Sequence, residues 1–156
     1  MNRELMIILR QLIHGKRIAA LGTLHQGGPF VSMVTYAAAK DGSLILHVSR
    51  LAAHTRDMLD NPDVSLLITE SEAVGKIPQA LARVTVQGRA KMVDRDSHEH
   101  TDAREIYLSR FPDAIPLFEF ADFNMFIIEP VSARVIAGFG QAVTISAADL
   151  AAALSG

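Results

Sequence analysis

Short stretches that are either apolar throughout or alternate between apolar and polar positions recur along the chain. Alternation with a period of two is typical of strands that bury one face, and a short apolar run is typical of a fully buried strand. Asp41-Gly42 predicts a tight hairpin, because glycine readily takes the positive φ that such a turn needs. The sequence predicts six or seven strands, drawn from residues 18–24, 30–39, 44–49, 64–69, 82–93, 123–128 and 132–137, with Pro130 separating the last two.

Other segments follow the helical period of 3.6 residues. Gly15 is a stop signal for the first of them, and Ser97 is placed to cap the third. The predicted helices cover residues 5–13, 51–59, 97–109 and the tail after residue 146. Strands joined mostly by tight turns, with peripheral helices, indicate a mainly β protein built as an antiparallel barrel. A doubly wound sheet would need a regular strand–helix alternation, which is missing.

The length and charge of the chain narrow the function classes. Its 156 residues are expected to form a single domain, residues 1–156. The net charge of −2, with no basic run, argues against nucleic acid as a partner. There are no cysteines, which excludes disulfides and thiolate sites. The apolar run at residues 5–9 is too short for a signal peptide or a membrane span, so a soluble, cytoplasmic protein is expected.

Chemistry is densest in the ten residues from His47 to Arg56, between a predicted buried strand and a predicted helix start. They include two hydroxyls, two arginines and two histidines. A helix N-terminus carries free N–H groups and a partial positive charge, and arginine and hydroxyl side chains add donors that match phosphate oxygens. The segment predicts a phosphate site. The alternative is a solvated helix start capped by its hydroxyls.

Several motifs resemble the pyridoxamine 5'-phosphate oxidase-like split barrels, which bind flavin mononucleotide (FMN). The motifs are FVSMVTY at 30–36, DG at 41–42, HVS at 47–49, HTR at 54–56, NPDVSLL at 61–67 and RVTVQGRA at 83–90. The segment GFGQA at 138–142 is similar to the haem-utilisation (HugZ-like) branch of that superfamily. The likeness extends from about residue 10 to residue 142, and the order and spacing of the motifs make it specific.

The resemblance implies a six-stranded antiparallel split β-barrel that forms a homodimer, with FMN at the subunit interface. The residues that it implies for the phosphate end are Ser49, His54, Thr55 and Arg56, with Arg50 as a helper. The residues that it implies beside the flavin ring are Ser32, Val34 and Thr35, with Arg83 reaching the cofactor from its strand. Phe139 and Gly140 would close the site, the alternative being a tight bend with a packed phenylalanine.

The resemblance makes an FMN-dependent oxidoreductase, acting on a small conjugated substrate, the leading hypothesis. The alternatives are a haem-binding, haem-utilisation protein, a flavin carrier without turnover, and a structural barrel with a decayed site. Vitamin B6 oxidation is not expected, because the substrate-holding arginine–histidine pair of the oxidases finds no match. The C-terminal histidine of the haem-degrading relatives also has no match after Gly140.

Other polar residues are expected to have ordinary roles. His98 and His100 lie two apart on a predicted helix and point to different faces, so no metal site is predicted. His25, in a predicted turn, is expected to be exposed to solvent. The residues expected to be surface charges are Asp57, Asp60 and Asp63. The residues expected to make core or dimer contacts are Phe118, Phe120, Phe123 and Phe126.

Overall fold

The computed structural model describes residues 1–138 and 140–156, so the predicted site residue Phe139 lies outside the described residues. The helices are α1 (Arg3–Gly15), α2 (Ala53–Asp60), α3 (His98–Arg110) and α4 (Ala147–Ser155), with 3₁₀ helices at Pro78–Ala80 and Pro112–Glu119. The strands are β1 (Ile18–His25), β2 (Gly28–Thr35), β3 (Ala37–Ala38), β4 (Leu44–Ser49), β5 (Asp63–Thr69), β6 (Arg83–Met92), β7 (Phe123–Gly138) and β8 (Gln141–Ser146). No helix in these described ranges is both long and apolar enough to span a membrane.

All strand pairs are antiparallel and belong to one sheet, with the order β2-β1-β5-β6-β7-β4-β3 and with β8 paired to β7. The two end strands, β2 and β3, are separated in sequence by Tyr36 alone. The sheet therefore has to curl until its two ends meet. The mainly β antiparallel class is as predicted, but the described residues form eight strands instead of the six of the split barrel.

The long strand β7 corrects the prediction of two strands separated at Pro130. Its first part pairs with β4 and its second part with β8, while β6 runs along both. The register shifts at Gln87/Gly88, so that Gly88 lies opposite Pro130 and Val131 is passed over. Such a bulge tolerates proline, which has no N–H to donate to the ladder. Gly88 is required there, since a Cβ atom would lie 2.6 Å from the carbonyl oxygen of Glu129.

Strand β8 was not predicted, whereas the helix after it was. Only Ile145 of β8 is buried, so the segment shows no regular alternation of apolar and polar residues. Ser146 caps α4 by accepting a hydrogen bond from the Asp149 N–H, and α4 buries Leu150, Ala153 and Leu154 against α1 and the sheet. The hairpin at Asp41-Gly42 is confirmed, because β3 and β4 pair across it and Gly42 has a φ of 92°.

The core has two parts, one on each face of the sheet. The first lies inside the curl and takes apolar side chains from α1, α4 and every long strand. The second lies outside, where α3 covers β3, β4 and β7, and it includes Ile45, Tyr107 and Met125. Phe126 belongs to the inner core, as expected, whereas Phe120 is exposed. The buried strand β4 separates the two cores, so its outer face carries His47 towards α3.

Candidate functional site

Helix α2 lies across the end of the sheet at which β4 ends and β5 begins, and it contacts β1, β2 and β6. Its N-cap residue is Ala52, and no side chain caps the helix. Alanine offers no oxygen to accept from the first N–H groups, so these donors remain available. The alternative in which hydroxyl groups cap this helix is therefore not what the structure has. The helix start keeps the donors that an anion would use.

A buried carboxylate on α2 is bonded to a histidine on β1. His25 Nδ1 lies 2.7 Å from Asp57 Oδ1, and Thr23 Oγ1 donates to Asp57 Oδ2 over 2.9 Å. Asp57 is only 4% exposed, which corrects its assignment as a surface charge. The side chain of His25 is 37% exposed, so the expectation of a solvated turn histidine is met only in part. With Nδ1 facing the carboxylate, Nε2 of His25 is left to a ligand.

The protonation state of the Asp57 carboxyl group follows from its surroundings. Burial by itself would raise the pKa of Asp57, but the hydrogen bonds from His25 and Thr23 and the nearby His54 outweigh it and hold the pKa below its usual range. His54 is half-buried one turn before Asp57, and burial lowers the pKa of its imidazole although Asp57 opposes the change. Asp57 is therefore ionised at neutral pH and fixes the orientation of the His25 ring.

Two of the residues predicted to bind a phosphate, Ser49 and Arg50, make hydrogen bonds within the chain. Ser49 Oγ donates to Asp122 Oδ2 over 2.6 Å and accepts from the Leu51 N–H. Arg50 Nε donates to Asn124 Oδ1 over 2.8 Å. These bonds tie the end of β4 to the start of β7. The Asp122 carboxylate beside Ser49 also makes that position less favourable for a phosphate.

Thr55 and Arg56, two further residues predicted to bind a phosphate, differ in their exposure to solvent. Thr55 is fully buried, and its hydroxyl has no hydrogen-bond partner within the described part of the chain. Arg56 is exposed and makes no ion pair with any described residue. Arg56 is thus the cation of α2 that is free to meet an anion, while Thr55 would have to move to reach one.

The predicted ring-side residues lie on the end strand β2. Val34 is in the inner core, and the Ser32 hydroxyl is buried without a partner among the described residues. Thr35 Oγ1 lies 2.8 Å from Tyr107 Oη of α3. Val34 could therefore meet a ligand only through its backbone. The Ser32 hydroxyl, like that of Thr55, is a buried polar group without a partner, which is uncommon in native proteins.

Arg83 and Gly140 are not brought to α2 within one protomer. Asp63, directly after α2, pairs with Arg89, whereas Arg83 pairs with Thr69 at the far end of β5. Six residues of strand separate the two positions by ~20 Å. Arg83 Nη1 donates to the Gln79 and Leu81 carbonyls. Gly140 is exposed, and it lies near the start of α1.

His47 occupies a second polar position, on the opposite face of β4 from the inner core. Its ring stacks on Phe118, with centroids 3.8 Å apart and an interplanar angle of 9°. Burial, followed by the charges of His100, Arg95 and Arg104, lowers its pKa to about 4. The imidazole is therefore neutral at physiological pH. Its buried Nδ1 has no hydrogen-bond partner among the described residues.

Sequence reasoning missed the pairing of His25 with Asp57. The two residues are 32 positions apart, and no local spacing signals their contact. The one available signal was an acid on the helix face that also carries His54. Throughout the described ranges, no group of three or more His, Asp or Glu side chains is arranged to hold a metal ion.

The chain matches the family described as CREG, beta-barrel, over residues 3–151. It is 34% identical over 126 residues to the haem oxygenase HutZ of Vibrio cholerae serotype O1, covering 80% of this chain and 71% of HutZ. It is 36% identical over 137 residues to a chloroplastic haem oxygenase, HOZ, of Arabidopsis thaliana, covering 86% of this chain. The chain spans only 40% of the length of that relative.

A solved structure shares the arrangement described above. The haem-binding protein from Mycobacterium smegmatis superposes with a TM-score of 0.87 at 27% sequence identity, covering 97% of this chain and 62% of that one. The similarity therefore includes the whole curled sheet together with its helices. Nearly all of this chain has a counterpart there, while more than a third of that protein does not.

Proposed function

Because the chain belongs to the CREG β-barrel family and its relatives are named for haem, we propose that it is a haem-binding protein of the haem-utilisation branch. This was the alternative to an FMN oxidoreductase in the sequence-based hypotheses. The two haem oxygenases and the haem-binding structure to which the chain is similar support haem over a flavin. The observation within the chain that carries the proposal is His25, oriented by the buried Asp57.

A haem makes modest demands on a protein, since its own ring supplies four nitrogen ligands to the iron. It needs one imidazole or similar axial ligand, an apolar surface for its faces and cations for its propionates. His25 meets the first demand, with Nδ1 bonded to a carboxylate and Nε2 open. A carboxylate behind a metal-bound imidazole fixes the ring and makes it a stronger donor. Thr23 satisfies the other carboxylate oxygen, so the buried charge is held firmly.

The surface beside His25 and the start of α2 meets the other two demands. Phe30 lies next to His25, with ring centroids 5.1 Å apart, and it is partly exposed. Leu51, just before α2, is 81% exposed and so adds apolar surface there. Arg56 supplies the unpaired cation. The residues present therefore fit a haem, which His25 would hold through its imidazole and Arg56 through its positive charge.

When bound, haem supplies an iron centre at which dioxygen chemistry takes place. The role of this chain's residues is to bind and orient the group. Asp57 would hold the His25 ring through Nδ1, which would leave Nε2 as the nitrogen available to the haem. We propose that haem is also the substrate, in line with the two relatives that are named haem oxygenases.

FMN is the second candidate ligand. The uncapped start of α2, the unpaired Arg56 and the buried Thr55 hydroxyl favour a phosphate in this region. Against it, Ser49 donates to Asp122, and that carboxylate brings a negative charge beside Ser49. The balance of contacts therefore supports haem ahead of FMN.

We propose that the chain forms a homodimer through the outer face of β1, β2 and β5. Register pairs place Ala20 beside both Met33 and Leu67 on that face, and Gly22 beside Val31. Val31 and Met33 are 68% and 64% exposed, and the small residues between them leave the face flat. Exposed apolar surface of this kind is typical of an interface. Sedimentation should show a dimer at micromolar concentration and a monomer for Val31→Lys/Met33→Lys.

Haemin titration followed by absorbance tests the haem site. The wild-type chain should give a saturating Soret band, and His25→Ala should bind haemin at least about tenfold more weakly, with added imidazole restoring the wild-type spectrum. Asp57→Asn should keep the ligand but weaken binding, on the order of tenfold. His98→Gln, a histidine change on the exposed start of α3, serves as the control. Equal spectra for His25→Ala and the wild type would remove His25 from the site.

A further inference from the structure

A cavity of about 680 Å³ lies between the end of α1, β3 and α3, and it shares no lining residue with α2. Ile13, Ala38, Ala39 and Ile106 give it apolar walls. Pockets for small molecules are usually about 300–1,000 Å³ and largely apolar, with a few polar groups that fix the ligand. The size and the apolar walls are therefore those of a small-molecule site.

Positive charge collects on the rim of this cavity. Lys16, Lys40 and Arg110 line it together, and none of them makes an ion pair with any residue that the structure describes. Among the described residues that line the cavity, the one carboxylate is Glu105, and it is exposed. In a chain whose net charge is −2, three cationic residues line this one cavity.

Two of the three cations, Arg110 and Lys16, make hydrogen bonds that leave some of their donors free. Arg110 Nη2 donates to the Lys16 carbonyl over 2.9 Å, which anchors the guanidinium by one edge. Lys16 Nζ donates to Ser71 Oγ over 2.8 Å, and an ammonium has three donors in all. Because a guanidinium has five donors in a planar fork, Arg110 can still bind an oxyanion with two of them.

We propose that this cavity binds a small organic acid: an apolar body against Ala38, Ala39 and Ile106, with its oxyanion between Lys40 and Arg110. A ligand must match both the apolar walls and the cations. A purely apolar ligand would leave the cations without a counter-charge, and a bare anion would leave the apolar walls in contact with water. The inference is independent of haem, because the site shares no residue with His25, Asp57 or Arg56.

Calorimetric titration with decanoate tests the proposal, with decanol and acetate as the two half-ligands. Decanoate should bind one per chain and at least tenfold more tightly than either half-ligand, and affinity should rise several-fold for each methylene from butyrate upwards. Inorganic phosphate tests whether a bare anion suffices. If decanol or phosphate binds as tightly as decanoate, the cavity does not recognise an amphipathic anion and the proposal is wrong.

Variants then assign the binding to this cavity. Lys40→Gln alone should weaken decanoate binding several-fold, and Lys40→Gln/Arg110→Gln at least tenfold. The matched control is Lys76→Gln/Arg89→Gln, which removes the same charge from exposed residues paired elsewhere with Glu70 and Asp63. The Lys40 side chain is exposed and makes no ion pair with a described residue, so its variant should fold normally even if Arg110→Gln does not. Equal loss in the test and control pairs, or no loss in either, would overturn the site.

Discussion

The buried imidazole of His47 makes stability depend on pH in a way that can be calculated. Burial and the charges of His100, Arg95 and Arg104 lower its pKa from the ordinary 6.5 to about 4. The unfolded chain therefore takes up a proton at a higher pH than the folded chain, and folding loses stability as pH falls from 6.5 towards 4. At roughly 1.4 kcal/mol for each pH unit, the loss is about 2 kcal/mol at pH 5 and about 3 kcal/mol at pH 4.

His47→Phe removes this contribution while keeping an aromatic ring stacked on Phe118. Urea unfolding of the wild type and the variant at pH 7.5 and pH 5.0 gives the free energy of unfolding of each. The variant should lose about 2 kcal/mol less than the wild type between the two pH values, whatever its stability at pH 7.5. His47→Leu repeats the test without the ring, and His98→Gln should keep the wild-type pH dependence. Parallel losses in the wild type and both His47 variants would refute a neutral, buried His47.

Three further changes test the packing around the sheet. Gly88→Ala should cost about 2 kcal/mol or more, because the new Cβ would meet the Glu129 carbonyl oxygen at 2.6 Å, and chemical denaturation would measure it. Tyr36→Phe should cost about 1 kcal/mol, since its hydroxyl donates over 2.6 Å to the Ile13 carbonyl at the end of α1; an unchanged melting temperature would show that the bond adds nothing. Thr55→Val should leave the ligand-free protein as stable or about 1 kcal/mol more stable, because it removes a buried hydroxyl without a described partner. Weaker binding of FMN by the same variant would identify Thr55 as a ligand donor, and a marked loss of stability would show that its hydroxyl is satisfied.

Local patterns in the sequence were sufficient for most of the fold. Apolar periodicity located α1 and the buried strand β4, whose observed bounds, Leu44–Ser49, match the predicted ones. Turn chemistry located the Asp41-Gly42 hairpin. These features depend on residues close together in the chain, and such residues are what a single sequence displays directly.

The features that were missed depend on partners distant in sequence. Pro130 reads as a strand break until Gly88, 42 positions earlier, is seen to accommodate it at a bulge. Strand β8 is held by pairing with β7 and has only one buried side chain, so it carries no pattern of its own. Both errors have the same cause: a strand distant in sequence, β6 for Pro130 and β7 for β8, provides the pairing that makes the segment a strand.

The candidate site shows the same division. The motif at residues 47–56 does span the end of β4 and the start of α2, as predicted, because its members are neighbours in the chain; the phosphate site assigned to it stays a prediction. Which of them face outward was not visible: Thr55 is buried, while Arg56 is free. Asp57 was assigned to the surface, since the contact that buries it comes from His25 on another element.

The most direct test of the account is a competition between the two candidate ligands on one sample. Purified wild-type protein, stripped of any bound chromophore, is dialysed against equal micromolar concentrations of haemin and FMN, and the retained ligand is read from its absorption spectrum. If the chain binds haem through His25, the wild type should show a Soret band at about one haem per chain and retain no flavin. The His25→Ala variant should show a weaker Soret band. Retained flavin without a Soret band would contradict haem binding and would identify FMN as the ligand.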